Sequence, residues 1–405
     1  MTRTTIKTKL NELAVQGAPP AFQEHLCVGR PNQFDRERLL ERINGILDRN
    51  WLTNNGPLVR EFESRIAEFL GVRHCIAMSN GTLALEIAIR ATGMTGEVIV
   101  PAFTFVATPH SLKWQGITPV FCDVDPESMT VDPERLERLV TSRTTGIMGV
   151  HLWGRPCNVE ALERIARKYN LTLIFDAAHA FGCSWKGKMI GGFGRAEVFS
   201  FHATKFFHSF EGGAVVTNDD ELAARMRLMK NFGFAGYDNV IELGINGKMS
   251  EVNAAMGLTG LESLDEIVEI NQRNYRHYVN ELQGTKGIFP IMYDEAERSN
   301  YQYIVLEIDE GISGLSRDRL VEILHAENVI ARRYFYPGCH QMEPYRSLYP
   351  HYPALLPNTE RLVRQVMQLP TGTVIGENEI SIICSIIRTA VENAALLARP
   401  EVPGK

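Results

Sequence analysis

From residue 74 onward, short apolar runs alternate with stretches of helical spacing, and this rhythm limits what the chain can fold into. "HCIAM" at 74–78 precedes "GTLALEIAIRATG", whose apolar residues recur at helical intervals until Gly93. "EVIVPAF" leads into "VATPHSLKWQG", and "TPVFCDVD", "TTGIMGVHL" and "LTLIFDAA" are further strand candidates. Between the last two lies "NVEALERIARKYN", an amphipathic helix with Asn158 placed to cap it. Buried strands alternating with helices imply a mostly parallel sheet in an α/β fold. Such sheets take ligands at the carboxyl ends of their strands.

The rest of the chain is organised around this unit. Residues 1–50 are polar and broken by Gly17, Pro19, Pro20 and Pro31, which predicts an extended arm and then a helix ending near Asn50. Residues 51–265 read as a large domain and residues 266–405 as a smaller C-terminal one. The long helical pattern "MSEVNAAMGLTGLESLDEIVEINQRNYRHYVNEL" bridges them. Beyond 285 the rhythm changes to a strand "YQYIVLEID", a helix "SRDRLVEILHAENV" and a terminal helix "ENEISIICSIIRTAVENAALL". "RRYFYPGCHQMEPYRSLYPHYPALLPN" reads as a long ordered loop, a kind of segment that often carries function.

Composition excludes several classes. Of 405 residues, 44% are hydrophobic, enough for one large core and a second smaller one. The 42 basic and 48 acidic residues leave a formal charge of −6, unlike the basic footprint of a nucleic-acid binder. "MTRTTIKTKLNELAVQG" lacks the apolar core of a signal peptide, and no apolar stretch is long enough to span a bilayer. Seven scattered cysteines without a CxxC pair argue against a zinc site or a disulfide framework. The expectation is a cytoplasmic enzyme that engages no membrane, nucleic acid or metal.

Several segments carry chemistry. "AMSNGTLALEIAIRA" sets Ser79, Asn80, Gly81 and Thr82 between a strand and a helix, where free N–H groups and hydroxyls form a phosphate cradle. A plain helix cap explains Thr82 equally well. "LTLIFDAAHAFG" ends an apolar strand on Asp176 with His179 just after; an unpaired buried carboxylate is costly, and a protonated ring nitrogen would give it a partner. Alternatively, Asp176 caps the next helix or pairs with His179. In "EVFSFHATKFFHSFEGGAVVTND", Lys205 sits in a turn five residues after Ser200, which suits a Schiff base beside a phosphate anchor. A salt bridge to Glu211 or Asp176 is the alternative. In "PAFTFVATPH", Phe103 or Phe105 could stack on a flat cofactor or belong to the core. Cradle, acid, ring and lysine together ask for pyridoxal phosphate, an electron sink that pairs its pyridine nitrogen and its aldehyde with such residues. The dinucleotide fingerprint GxGxxG is missing where a dehydrogenase would need it.

With these segments in order, the chain resembles the DegT/DnrJ/EryC1/StrS family of pyridoxal-phosphate sugar aminotransferases over nearly its whole length. The resemblance rests on "SNGTLAL", "PAFTFVAT", "PVFCDVD", "VHLWGRP", "IFDAAHAFG", "FSFHATK…EGGAVVTN" and "GINGKMSEVNAAMGL". It implies the aspartate-aminotransferase-like (type I) fold and a homodimer with shared active sites. Lys205 would carry the cofactor as a Schiff base and shuttle protons, and Asp176 would pair with the pyridine nitrogen. Gly81, Thr82 and Ser200 would bind the phosphate, joined by Asn246 from the partner subunit. Phe105 would stack on the ring, and His179 would lie near its face or its phenolic oxygen. Relatives often have SGT where this chain has "SNGT", and their arginine or tyrosine near "MSE" is replaced by Gly247 and Lys248.

The resemblance further implies L-glutamate as donor, leaving as 2-oxoglutarate, and a nucleotide-linked keto-sugar as acceptor. "FHATKFFHSFEGG" looks more like members that aminate C4 of dTDP-4-keto-6-deoxy-D-glucose, giving dTDP-4-amino-4,6-dideoxy-D-glucose, than like C3 members. Arg332 and Arg333 could hold a carboxylate or pyrophosphate, or make domain or dimer salt bridges. His340 would line the substrate mouth. The rivals are amination at C3, a sugar 3-dehydratase and a regulatory protein of the same fold. Histidine would replace Lys205 in the dehydratase.

Overall fold

The computed structural model describes residues 6–398. Seven strands form the central sheet: β1 His74–Met78, β2 Glu97–Pro101, β3 Thr118–Cys122, β4 Thr144–Val150, β5 Thr172–Asp176, β6 Ala196–Ser200 and β7 Gly213–Thr217. Their order is β1-β7-β6-β5-β4-β2-β3, and every pairing is parallel except the two made by β7. The turn between β6 and β7 holds no helix, so β7 can only return antiparallel. The reversal brings Gly213, the first residue of β7, opposite Ser200 and Met78, the last residues of β6 and β1.

Both faces of this sheet are covered, which explains the apolar runs. Ile76, Val98 and Val215 pack on one face with Ala88 and Leu222 from the helices Gly81–Thr92 and Asp220–Met229. On the other face, Ala77, Phe199 and Val216 meet Phe62 and Leu258 from the helices Pro57–Leu70 and Glu251–Glu262. Asn158 caps its helix, its side chain accepting from Ala161 N at 3.1 Å. Helix Gly81–Thr92 is capped by Asn80, which accepts from Leu83 N at 2.9 Å, so Thr82 is not a cap.

A second sheet of three antiparallel strands, Ile288–Pro290, Ile304–Ile308 and Val366–Leu369, has its own core. There Leu306 and Met367 pack with Tyr278, Leu320 and Ile383 from the helices Leu264–Leu282, Arg317–Ala326 and Glu377–Glu392. The bridging helical pattern breaks at Ser263 into Glu251–Glu262 and Leu264–Leu282. The aromatic loop contains short helical turns, and its Tyr345 and Tyr352 pack edge-on against Phe121 of β3 at 5.2 Å.

The arm is folded rather than simply extended. It makes two short turns, Leu10–Glu12 and Ala14–Gln16, and Leu26–Cys27 pairs in parallel with Val329–Ile330. Its anchor is Glu327, fully buried, which accepts from Lys7 Nζ at 2.6 Å and from Ala14 N and Ala21 N at 2.7 Å each. These bonds satisfy the carboxylate and fasten the arm to the C-terminal unit, with Leu13 and Phe22 in that unit's core. The helix Arg36–Arg49 then ends at Asn50 in a left-handed cap. Among the described residues no helix is long and apolar enough to cross a membrane.

Candidate active site

A cavity of about 630 Å³ lies where the carboxyl ends of β5 and β6 meet the second sheet and the arm. Gly81, Thr82, Phe105, Asp176, His179, Ser200 and Lys205 all line it, so residues far apart in sequence converge as expected. Arg332, Tyr303 and Gln368 come from the C-terminal part, and Val28 and Gly29 from the arm.

The cradle is built by close backbone approach. A Cβ on Gly213 would sit 2.6 Å from Gly81 N and from the Asn80 carbonyl carbon, and one on Gly81 would come within 3.0 Å of Ser200 Cβ. The first backbone bond of the helix runs from Ala84 N to Asn80 O, which leaves the amides of Gly81 and Thr82 facing the cavity unpaired by the helix. Such amides at a helix N-terminus attract an anion.

Asp176 is buried at the end of β5. Its Oδ2 accepts from Thr108 Oγ1 at 2.8 Å and its Oδ1 from Ala178 N at 3.1 Å. Burial raises its carboxyl above the usual range, against these two bonds and the attraction of Lys205 and His151. No helix follows for it to cap, and it makes no hydrogen bond with His179 among the described residues. His179 Nδ1 instead accepts from Trp153 N at 3.3 Å, which leaves the proton on Nε2. Burial and the neighbouring Lys205 charge hold His179 well below the usual histidine range, so the ring is neutral. Its ring lies parallel to Phe335, 6.0 Å between centroids, and beside Tyr303 at 4.8 Å.

Lys205 pairs with neither Glu211 nor Asp176. Glu211 lies 3.4 Å from His202 Nε2, and Lys205 Nζ donates to the Tyr303 hydroxyl at 3.4 Å. Burial pushes the amine down to about 8, with Asp176 opposing. A cavity-facing lysine in that range supplies free amine near neutral pH. Phe103 is core, edge-on to Trp153 and Phe335, whereas Phe105 is 49% exposed and lines the cavity.

The family model for the DegT/DnrJ/EryC1/StrS aminotransferase family matches residues 33–388. The chain belongs to that family. Among curated relatives of this aminotransferase is dTDP-4-amino-4,6-dideoxy-D-glucose transaminase of Shigella dysenteriae, 38% identical over 367 residues, covering 91% of this chain and 99% of that one. GDP-perosamine synthase of Caulobacter vibrioides is 37% identical over 330 residues, 80% and 87% of the two chains. The solved structure of DesI in the presence of its TDP-sugar product is 50% identical, with a TM-score of 0.90 over 94% of this chain and 97% of that one.

The residues present fit the family's cofactor, pyridoxal phosphate. The glycine-lined cradle is shaped for an anion, the buried Asp176 carboxylate has no cation bonded to it, and Lys205 is the amine at hand. Other assignments land elsewhere. His340 does not line the aminotransferase's cavity: it is 1% exposed, and its Nε2 is 2.7 Å from Glu360 Oε1, a tie that turns this residue of the aromatic loop inward. Asn246 is exposed, bridges in backbone to Asn231, and does not line its own chain's cavity. Arg333 pairs with Asp318 at 3.1 Å, while Arg332 stacks over Tyr334 and lines the cavity.

Sequence reasoning missed Thr108, Tyr303, His151 and Gln368. Thr108 lies in the first turn of the helix Ala107–Lys113, and the bend before that helix brings the Thr104 hydroxyl 3.1 Å from its own. His151, directly after β4, stacks on Phe175, and its Nε2 lies 3.6 Å from Glu197 Oε2, both side chains fully buried. Burial opposes charge on His151, but Cys157 and Glu197 beside it raise its pKa to about 10. A lone amide in the apolar strand "VMQL" was the visible signal for Gln368.

Proposed function

We propose that this aminotransferase holds pyridoxal phosphate on Lys205 and moves the amino group of L-glutamate to C4 of dTDP-4-keto-6-deoxy-D-glucose. The products would be 2-oxoglutarate and dTDP-4-amino-4,6-dideoxy-D-glucose. The observation that carries the chemistry is the placement of Lys205 and Asp176 at one cavity beside the Gly81 cradle. The choice of sugar is supported by the relatives of that name at 36% and 38% identity and by the TDP-sugar product in the DesI structure.

In this scheme Gly81, Thr82 and Ser200 would hold the cofactor phosphate, Phe105 and the neutral His179 would pack against its ring, and Asp176 would keep a proton on its ring nitrogen. The cofactor, when bound, supplies the carbonyl that takes up the amino group and the sink that lets an α-proton leave. Lys205 Nζ would take up and return that proton, because an amine with a pKa of about 8 exchanges protons readily near neutral pH. Tyr303 would orient the amine by accepting from it, its phenol kept protonated by burial. Asn246 reaches the phosphate of the partner subunit in a cytoplasmic homodimer, whose chains divide near residue 265 into large and small domains.

The test offers dTDP-4-keto-6-deoxy-D-glucose and its 3-keto isomer with glutamate and locates the new amine by NMR. Amination of the 3-keto sugar alone would overturn the C4 assignment. The perosamine synthase relatives favour one second possibility, a GDP-linked sugar, which the same assay with GDP substrates separates.

A further inference from the structure

Gln368 lies inside the apolar strand Val366–Leu369, directly opposite Val305, and is 1% exposed. Its backbone is satisfied by Arg332, with N–H···O bonds of 2.8 and 3.0 Å in the two directions. Its side chain is not: neither Nε2 nor Oε1 has a hydrogen-bond partner, and the residue lines the cavity. Leaving a buried polar group unpaired is costly, so the fold alone would be better served by methionine or leucine here. The amide is therefore kept for something that enters the cavity.

Its position narrows what that is. Residues directly opposite on neighbouring strands share a face, so Gln368 stands beside Val305, and Tyr303, just before that strand, lines the same cavity as Gln368. The Tyr303 hydroxyl accepts from Lys205 Nζ at 3.4 Å, and Gln368 lines the cavity these two residues share. Carboxylates and phosphates only accept hydrogen bonds; either would fill Nε2 and press an oxygen against Oε1. Two neighbouring hydroxyls fill both atoms at once. Arg332, with no carboxylate partner among the described residues, suits the acceptor-only groups.

We propose that Gln368 is a specificity-determining residue that grips two neighbouring ring hydroxyls of the sugar through Nε2 and Oε1. The proposal rests on the nucleotide-sugar assignment made above. A 4-keto-6-deoxy sugar keeps adjacent hydroxyls at C2 and C3, whereas its 3-keto isomer has lost that pair. Gln368 then favours the 4-keto acceptor, and it has no part in recognising glutamate.

The experiment uses cofactor-loaded enzyme and calorimetric binding of dTDP-4-amino-4,6-dideoxy-D-glucose, its 3-deoxy analogue and 2-oxoglutarate. Two variants are compared with the parent: Gln368→Met, which keeps the length without hydrogen bonds, and Gln368→Glu, which keeps the shape with acceptors only. Both bind the amino sugar about tenfold more weakly, while 2-oxoglutarate affinity moves by less than about twofold. The 3-deoxy analogue loses a similar factor on the parent enzyme and nothing further on Gln368→Met. The melting temperature of unliganded Gln368→Met is equal or higher, which separates a binding role from a structural one. Unchanged amino-sugar binding, an equal loss for 2-oxoglutarate, or additive losses in variant and analogue each overturn the proposal. If the parent enzyme itself fails to bind the amino sugar, the dTDP-sugar assignment falls first and this proposal with it.

Discussion

Thr108 Oγ1 donates to Asp176 Oδ2 at 2.8 Å, inside a core that shields both residues. This bond works against burial, which raises the Asp176 carboxyl, and so helps keep it ionised. Thr108→Val keeps the shape and removes the donor, so the pKa of Asp176 rises further. Cofactor affinity should fall about fivefold to tenfold, most at the acid end of a fluorescence titration between about pH 6 and 8.

Lys205 titrates at about 8 in the folded chain, below the ordinary lysine range. Below that value the folded and unfolded chains both carry the charge. Between it and the ordinary lysine value only the unfolded chain binds the proton, so stability gains from Lys205 as pH rises through that window. Urea unfolding of cofactor-free protein at about pH 8 and 10 should show this gain, and Lys205→Met should lose it relative to the parent. The same variant should show no covalent cofactor absorbance and no turnover, although the cradle can still bind the cofactor.

Gly213→Ala would force a methyl to within 2.6 Å of Gly81 N and the Asn80 carbonyl carbon. Backbone on both sides cannot yield cheaply, so the expected cost is about 1–3 kcal/mol of stability by denaturant titration. Phosphate binding should suffer more than the fold does, because the displaced atoms are the cradle itself. Inorganic phosphate should compete with the cofactor on the parent and barely bind the variant.

Glu327→Gln tests the arm. The substitution leaves Lys7 buried beside a neutral amide, where breaking a buried ion pair costs about 3–5 kcal/mol. The arm should come loose, and limited proteolysis should cut between residues 7 and 25 in the variant long before the parent. Val28 and Gly29 line the cavity at the end of this arm, so the Michaelis constant for the sugar should rise while cofactor affinity holds.

Much of this was written in local order. The period of the apolar runs specified a buried parallel sheet, because only strands covered on both faces tolerate "LTLIF" or "EVIVP". Asp176, Ser200, Gly81 and Lys205 stood at strand ends, where a sheet of this kind must put its ligands, and the structure places all four at one cavity. Short strands such as Ile288–Pro290 and Val366–Leu369 were not foreseen, since a few residues without clear alternation carry too little pattern.

His340 illustrates the other limit. A histidine in an aromatic loop reads as a ligand contact, yet Glu360, twenty residues on, turns it into the core. Lys205, read from its own neighbours, was as good a salt-bridge lysine as a reactive one. In the fold no carboxylate among the described residues lies within pairing distance, and the amine meets Tyr303, nearly a hundred residues away in sequence. Periodicity and chain order determine which face each side chain is offered to, because they act within a few residues. Which partners the cavity gives a side chain, Tyr303 for Lys205 and none for the Gln368 amide, depends on elements that meet only when the two sheets pack together.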